Sequence, residues 1–312
     1  MSKRTKEELL EIASKSKQFH DVLYSTPINE NIIIEILSDT TNEDRQIIRG
    51  FYKKLYHHPI QDDINLKLKN KLREISIDMF DSPYEYDARE LHKALNALNI
   101  DDSTIIEIFV TRPKNHLEVV DVAYQKFFKV SLRDEIQKKF SEECAQFLEA
   151  ILDGDRPVDQ TISGEGAYAI AKELIKNGLK DYGKDVNLFR KIFVEKSRED
   201  LILISRAYNE LTGKCLYDGI KSEISGKNQK ILKNLLFAVI APAQWFAKKC
   251  KKCIREREDY RKLLRILIFR AEIDMYAIRD YYSMENNDEI SNGIGNCYEG
   301  AFGQILINLS MK

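Results

Sequence analysis

The chain has 312 residues, 43% of them apolar, with 49 basic against 50 acidic side chains and a formal net charge of −1. That apolar content fills a large core and excludes a disordered chain, and so even a charge balance gives no global attraction to nucleic acid. Thirteen glycines, six prolines and few runs rich in valine and threonine favour an all-α fold.

The chain opens on MSKRTKEELLEIASKSKQ, which is charged throughout and lacks the apolar centre of a signal peptide. Further on, ILKNLLFAVIAPAQWFA is interrupted by Lys233, Asn234 and Gln244, so it is not a membrane span. A soluble cytoplasmic protein is expected. Its five cysteines, an odd number thinly spread, suit reduced thiols rather than a disulfide framework.

Between these segments a helical pattern recurs. Taking Pro27, Asn99, Gly183 and Arg257 as anchors, the spacings are 72, 84 and 74 residues. The longer middle one contains the polar stretch DGDRPVDQTISGEG (153 to 166), a natural linker. Six residues after each anchor stand Ile33, Ile105, Phe189 and Leu263; nine after, Ile36, Ile108, Ile192 and Ile266; ten after, Leu37, Phe109, Phe193 and Leu267. This i, i+3, i+4 spacing marks one face of a helix. Twenty-one after come Ile48, Val120, Ile204 and Ile278, and twenty-five after come Tyr52, Tyr124, Tyr208 and Tyr282. Buried aromatics at helical spacing are core positions first, so the tyrosines are expected inside. Each unit starts with a helix, as at 86–95 or 167–177, passes a short loop at its anchor and continues through further short helices. Units of about 70 residues with helices of ~8 to 14 residues hold about five helices each.

Few local motifs carry chemistry. His57 and His58 lack a metalloprotease context, and DGDRPVDQTISGE lacks the sixth-position glycine and twelfth-position glutamate of an EF-hand. The CxxC of Cys250 and Cys253 has no second pair or histidine at finger spacing. NGIGN (292 to 296) follows no strand and precedes no phosphate-binding lysine. No catalytic constellation is evident, and an enzyme is not expected. What remains is LKDYGKDVNLF (179 to 189), where Gly183 lies between Asp181 and Asp185. A loop that turns several carbonyls toward one cation curls tightly, and a glycine at positive φ permits that. The plain alternative is a glycine that caps a helix.

Four such units, with YDARELHKALNALNIDDSTIIEIFVTRPKNHLEVVDVAYQKFF in the second and FRAEIDMYAIRDYY in the fourth, resemble the annexin family over nearly the whole chain, residues 7 to 309. The resemblance implies four five-helix repeats, at 1–83, 84–160, 161–241 and 242–312, forming a slightly curved disc. It implies calcium-dependent, non-catalytic binding to acidic phospholipid membranes. The family's calcium loop is completed by a carboxylate about 40 residues past its second glycine; Glu223, in KSEISG, stands 40 after Gly183. By resemblance the calcium ligands are the carbonyls of Leu179, Asp181 and Gly183 with a bidentate Glu223. Tyr182 and Lys184 would then face the membrane, although an exposed tyrosine without a role is the alternative.

At the matching position the other repeats carry Lys67, Lys139 and Cys297, and the loops STPINE, NALNID and IREREDY lack paired glycines. Those sites are expected to be lost. Lys67, Lys139, Arg255 and Arg257 would instead place fixed positive charge near an acidic surface, or simply lie solvated beside acids such as Glu256 and Glu258. The implied partners are acidic phospholipid, further copies of the chain assembling on membranes and, in a rival reading similar to the alpha-giardins, cytoskeletal protein with weak or calcium-independent membrane binding.

Overall fold

The computed structural model describes residues 4–256 and 260–312. Among them are twenty-one α-helices and one π-helical segment, with no strand, as the composition predicts. Arg257, the fourth anchor, lies outside the described residues.

The helices fall into four successive groups. The first is α1 (Lys6–Leu23), α2 (Glu30–Asp39), α3 (Asn42–Tyr56), α4 (Ile60–Lys67) and α5 (Asn70–Phe80). The second is α6 (Pro83–Leu95), α7 (Asp102–Thr111), α8 (Lys114–Phe128), α9 (Leu132–Lys139) and α10 (Glu142–Asp153). The third holds α11 (Gly164–Asn177), then the single turn α12 (Leu179–Tyr182) and α13 (Val186–Phe189) running into the π segment Arg190–Val194, which together take the place of a second helix, then α14 (Arg198–Thr212) as the third, α15 (Leu216–Glu223) as the fourth and α16 (Gly226–Ile240). The fourth is α17 (Pro242–Glu256), α18 (Tyr260–Arg270), α19 (Met275–Asn286), α20 (Ile290–Gly295) and α21 (Gly300–Ser310).

The recurrence that the spacing predicts is a recurrence of burial. All twenty residues at the predicted core positions, from Ile33 to Tyr282, are buried. The pattern extends further: Ile60, Leu132, Leu216 and Ile290, which open the fourth helix of each group, and Ile64, Ile136, Ile220 and Ile294, one turn on, are also buried. Positions i and i+4 share a helix face, so these pairs seat each short fourth helix on its group.

Helix ends repeat as well. Thr41 and Ser197 open α3 and α14 with capping boxes closed by Asp44 and Asp200. The third helix of every group stops on a left-handed residue: His57 (φ 63°), Lys129 (φ 62°), Gly213 (φ 70°) and Asn287 (φ 51°). In each, the cap N–H returns to the carbonyl four residues back, as Lys129 does to Gln125 at 3.0 Å.

By contact density the chain divides into two compact units, one of Met1–Tyr86 with Phe246–Lys312 and one of Asp87–Trp245. In the first, the buried Arg45 guanidinium donates to the carbonyls of Leu37, Thr40 and Met79, so one cation satisfies the ends of two helices. In the second, Asp87 accepts a bidentate pair from Arg112 (2.7 and 2.9 Å) and a third contact from His116 Nε2 (2.8 Å). Burial raises the Asp87 pKa, but the Arg112 charge and the hydrogen bonds from Arg112 and His116 outweigh it and hold the carboxyl down at about 2. The stretch 154–163 has no helix, in keeping with its composition, yet it is tied down. Arg156 donates to the carbonyls of Phe193 and Lys196, while Asp200 accepts from Thr161 N at 2.9 Å and Ile162 N at 3.1 Å.

Candidate metal centre

Each recurring tyrosine looks toward the residue eleven positions later. In the first two groups that residue is an acid: Tyr52 Oη donates to Asp63, and Tyr124 Oη to Glu135 Oε2 at 3.2 Å. Burial and those carboxylates raise both phenol pKa values well above the usual range. In the last two it is glycine. A β-carbon on Gly219 would stand 2.8 Å from Tyr208 Oη and 2.7 Å from Leu179 Cδ1, and one on Gly293 would stand 3.1 Å from Tyr282 Oη. Glycine here makes room for the hydroxyl.

Leu179, held against Gly219, starts the single turn of α12, and Gly178 (φ 78°) bends the chain into it. The positive φ expected at Gly183 is therefore found five residues earlier; Gly183 itself is right-handed (φ −84°, ψ −4°). Its lack of a side chain serves proximity, since a β-carbon would come within 2.6 Å of Ile224 Cγ2. The segment expected to be a loop is thus a closed helical turn. Leu179 O and Lys180 O accept from Gly183 N (3.3 and 3.2 Å), Asp181 O accepts from Lys184 N and Asp185 N (3.0 and 2.8 Å), and Gly183 O accepts from Asn228 Nδ2 (2.9 Å). Asp185 caps α13 through Asn187 N and Leu188 N.

Tyr182 is corrected by the same turn. It is fully buried, its ring edge-on to Phe193 at 6.3 Å, and cannot be the membrane-facing tip. The turn rotates it inward while Lys180, Asp181 and Lys184 point to solvent.

Glu223 lies against this turn. The side chain at the end of α15 accepts from Leu179 N at 2.9 Å, and its charge lies near enough to help raise the Tyr208 pKa, behind the larger effect of burial. Around it opens a cleft of about 470 Å³, lined among others by Glu143, Lys180, Gly183, Lys184, Glu223 and Asn228. Glu143 Oε1 accepts from Asn228 Nδ2 at 3.0 Å. Glu143 was outside the expected set because it lies in the preceding helix group, and Asn228 because no spacing signal singles it out.

Among the described residues no three or more His, Cys, Asp or Glu side chains are gathered as a metal cluster. The donors at hand are nonetheless of the kind calcium takes: one exposed carboxylate and backbone carbonyls, each with a second lone pair. They fit the ion if the α12 turn loosens and Glu223 exchanges the Leu179 N–H for the metal.

In the first three groups the corresponding residue meets the first interhelical connection, and in the fourth it meets the last turn of α17. Lys67 Nζ lies 4.0 Å from the centre of the Tyr24 ring, Lys139 Nζ donates to Asn96 Oδ1 at 3.2 Å, and Cys297 Sγ donates to Ile254 O at 3.5 Å. Two ammonium groups thus stand where the family resemblance implies a metal-binding acid. Arg255 is exposed and paired with Glu256 at 3.2 Å.

A family model described as Annexin matches residues 14–78, 86–151 and 170–235, more than half of the chain. Annexin A13 of Mus musculus is 28% identical over 299 residues, covering 94% of this chain and 93% of that protein. The structure of annexin III aligns with a TM-score of 0.89 at 24% identity, over 96% of this chain and 94% of that one. A calcium-bound annexin (Sm)1 aligns at 0.87 and 23% identity, over 99% and 92%.

Proposed function

The chain belongs to the annexin family, and from that premise we propose that it is a non-catalytic protein that binds acidic phospholipid membranes through calcium, with its principal ion site in the third repeat. The repeats are read as 1–83, 84–160, 161–241 and 242–312. The ligands are Glu223 and the carbonyls of Leu179, Asp181 and Gly183. The observation that carries this reading is the 2.9 Å contact of Glu223 with Leu179 N, which brings the one acid at the fourth-helix position onto the turn that holds those carbonyls. Calcium supplies a bridge: it takes six to eight oxygens, and those the protein leaves free are open to water or a lipid phosphate. Lys184, exposed on the same turn, adds attraction to an anionic surface.

No helix among the described residues is long and apolar enough to cross a membrane, and attachment is read as peripheral, from the cytoplasm. Self-association on the membrane would add avidity to a single strong site.

Co-sedimentation with phosphatidylserine vesicles over a calcium series tests the proposal. Glu223→Gln keeps an acceptor for Leu179 N but loses the charge, so the fold should hold while the calcium needed rises by about tenfold or more. Equal sedimentation of variant and wild type at every calcium level would refute the site.

A further inference from the structure

The first turn of α16 carries a buried amide where the other repeats carry leucine, cysteine and phenylalanine. Five residues past Lys67, Lys139, Glu223 and Cys297 stand Leu72, Cys144, Asn228 and Phe302. Asn228 is 8% exposed, and a buried amide is costly unless its hydrogen bonds are made. Its Nδ2 group makes two, to Gly183 O at 2.9 Å and to Glu143 Oε1 at 3.0 Å. Both neighbours are acceptors, so the two amide protons are used and the nitrogen is fixed toward them.

Packing alone is served by an apolar side chain in this register, as the other three repeats show, and a departure from such a pattern is expected where function requires it. The repeat that departs is the one whose corresponding residue is an acid, Glu223. Of the three carbonyls read as ligands, those of Leu179 and Asp181 accept backbone N–H groups of the turn itself and must give them up to reach a cation. Gly183 O is held from outside, by a side chain on another helix, so opening α12 does not in itself release it, and its second lone pair stays available. Glu143 stands in the first turn of α10, in the second repeat, and its carboxylate polarises the Asn228 amide against the Gly183 carbonyl. The same turn of α16 is fastened to that repeat by Lys227, whose Nζ meets Asp102 Oδ1 at 3.0 Å and lies 4.5 Å from the centre of the Phe140 ring. With Lys227 paired in this way, Glu143 and Glu223 balance Lys180 and Lys184 in the lining of the cleft; without Glu143 the lining would be positive and would repel a cation. Resting on the third-repeat site, we propose that Asn228 is a positioning residue for its ion, keeping Gly183 O in place while the rest of the turn opens, and that Glu143 of the second repeat acts through it. The site is then built across two repeats.

Three measurements on the full chain test this: the urea midpoint in chelator, the rise in melting temperature over a calcium series without lipid, and the calcium needed for co-sedimentation with phosphatidylserine vesicles. Asn228→Leu takes the residue of the first repeat and should hold its urea midpoint, since leucine suits this register and water in the cleft can serve Gly183 O. It should nonetheless need about tenfold more calcium in both other measurements, the scale of one lost hydrogen bond. Glu143→Gln, on an exposed residue, should raise the requirement about threefold, and should add nothing further to Asn228→Leu. An unchanged calcium requirement in Asn228→Leu would overturn the proposal. So would an equal effect of Glu143→Gln in both backgrounds, which marks a charge acting at a distance, or an Asn228→Leu chain that fails to fold in chelator, which marks a structural role. Glu223→Gln separates this inference from the reading beneath it. If Glu223→Gln removes the calcium response and Asn228→Leu leaves it intact, the ion site stands and the positioning role falls; if both leave it intact, both fall.

Discussion

The glycine eleven residues after each tyrosine of the third and fourth repeats is a steric necessity visible only in three dimensions. Gly219→Ala pushes a methyl between Tyr208 Oη and Leu179 Cδ1, and should cost ~1–3 kcal/mol in urea unfolding. Adding Tyr208→Phe removes one of the two obstructing atoms and should recover part of the loss; strict additivity would show that the hydroxyl is not the obstacle. Asp87 makes the electrostatic counterpart. Asp87→Asn leaves the Arg112 guanidinium short of its counter-charge and should cost ~3–5 kcal/mol near neutral pH. Because the folded carboxyl is held at about 2 against an ordinary 3.8, its contribution is complete above the ordinary value and fades as pH falls toward 2. Chemical unfolding of both proteins should therefore give stabilities that converge across that window; a constant gap would contradict the ion pair. The identity of these residues is plain in the chain, but their partners lie 11 to 40 positions away, and no helical periodicity announces them.

At the level of helices, the core was legible because it is periodic. Ile36, Ile108, Ile192 and Ile266 keep one register through four units, and a helix face can be read from such spacing alone. Turn chemistry was less legible. The left-handed stops of the third helices use histidine, lysine, glycine and asparagine, so a search for glycine finds only one of four. A non-glycine residue there costs roughly 1–2 kcal/mol against the right-handed basin, part of which the looser unfolded state of glycine offsets. Lys129→Gly, at an exposed cap, should accordingly stabilise by up to ~1 kcal/mol, read as a higher urea midpoint at unchanged slope. A lower midpoint would mean that the Lys129 Nζ contact with Lys126 O outweighs the backbone term. In the 179 to 189 segment, the need for a tight curl placed freedom at Gly183, and the family resemblance placed exposure at Tyr182. Folding places the freedom at Gly178, because the bend belongs to the end of α11, and buries Tyr182 because a helical turn, not an open loop, follows.

Across the whole molecule, four helix groups share one core register while the corresponding residues Lys67, Lys139, Glu223 and Cys297 differ in chemistry from group to group. Core positions tolerate little change in volume, whereas a surface tether can change chemistry without unfolding its unit. Only the glutamate supplies a carboxylate, which is why the principal calcium site is proposed in the third repeat. The most direct measurement is a crystal structure of the protein grown or soaked with calcium. The ion is expected on Glu223, with the 2.9 Å bond to Leu179 N released and the carbonyls of Leu179, Asp181 and Gly183 turned from their intrahelical partners to the metal. A calcium-saturated crystal in which Glu223 still accepts from Leu179 N, with the α12 turn closed and no ion beside it, would contradict the assignment.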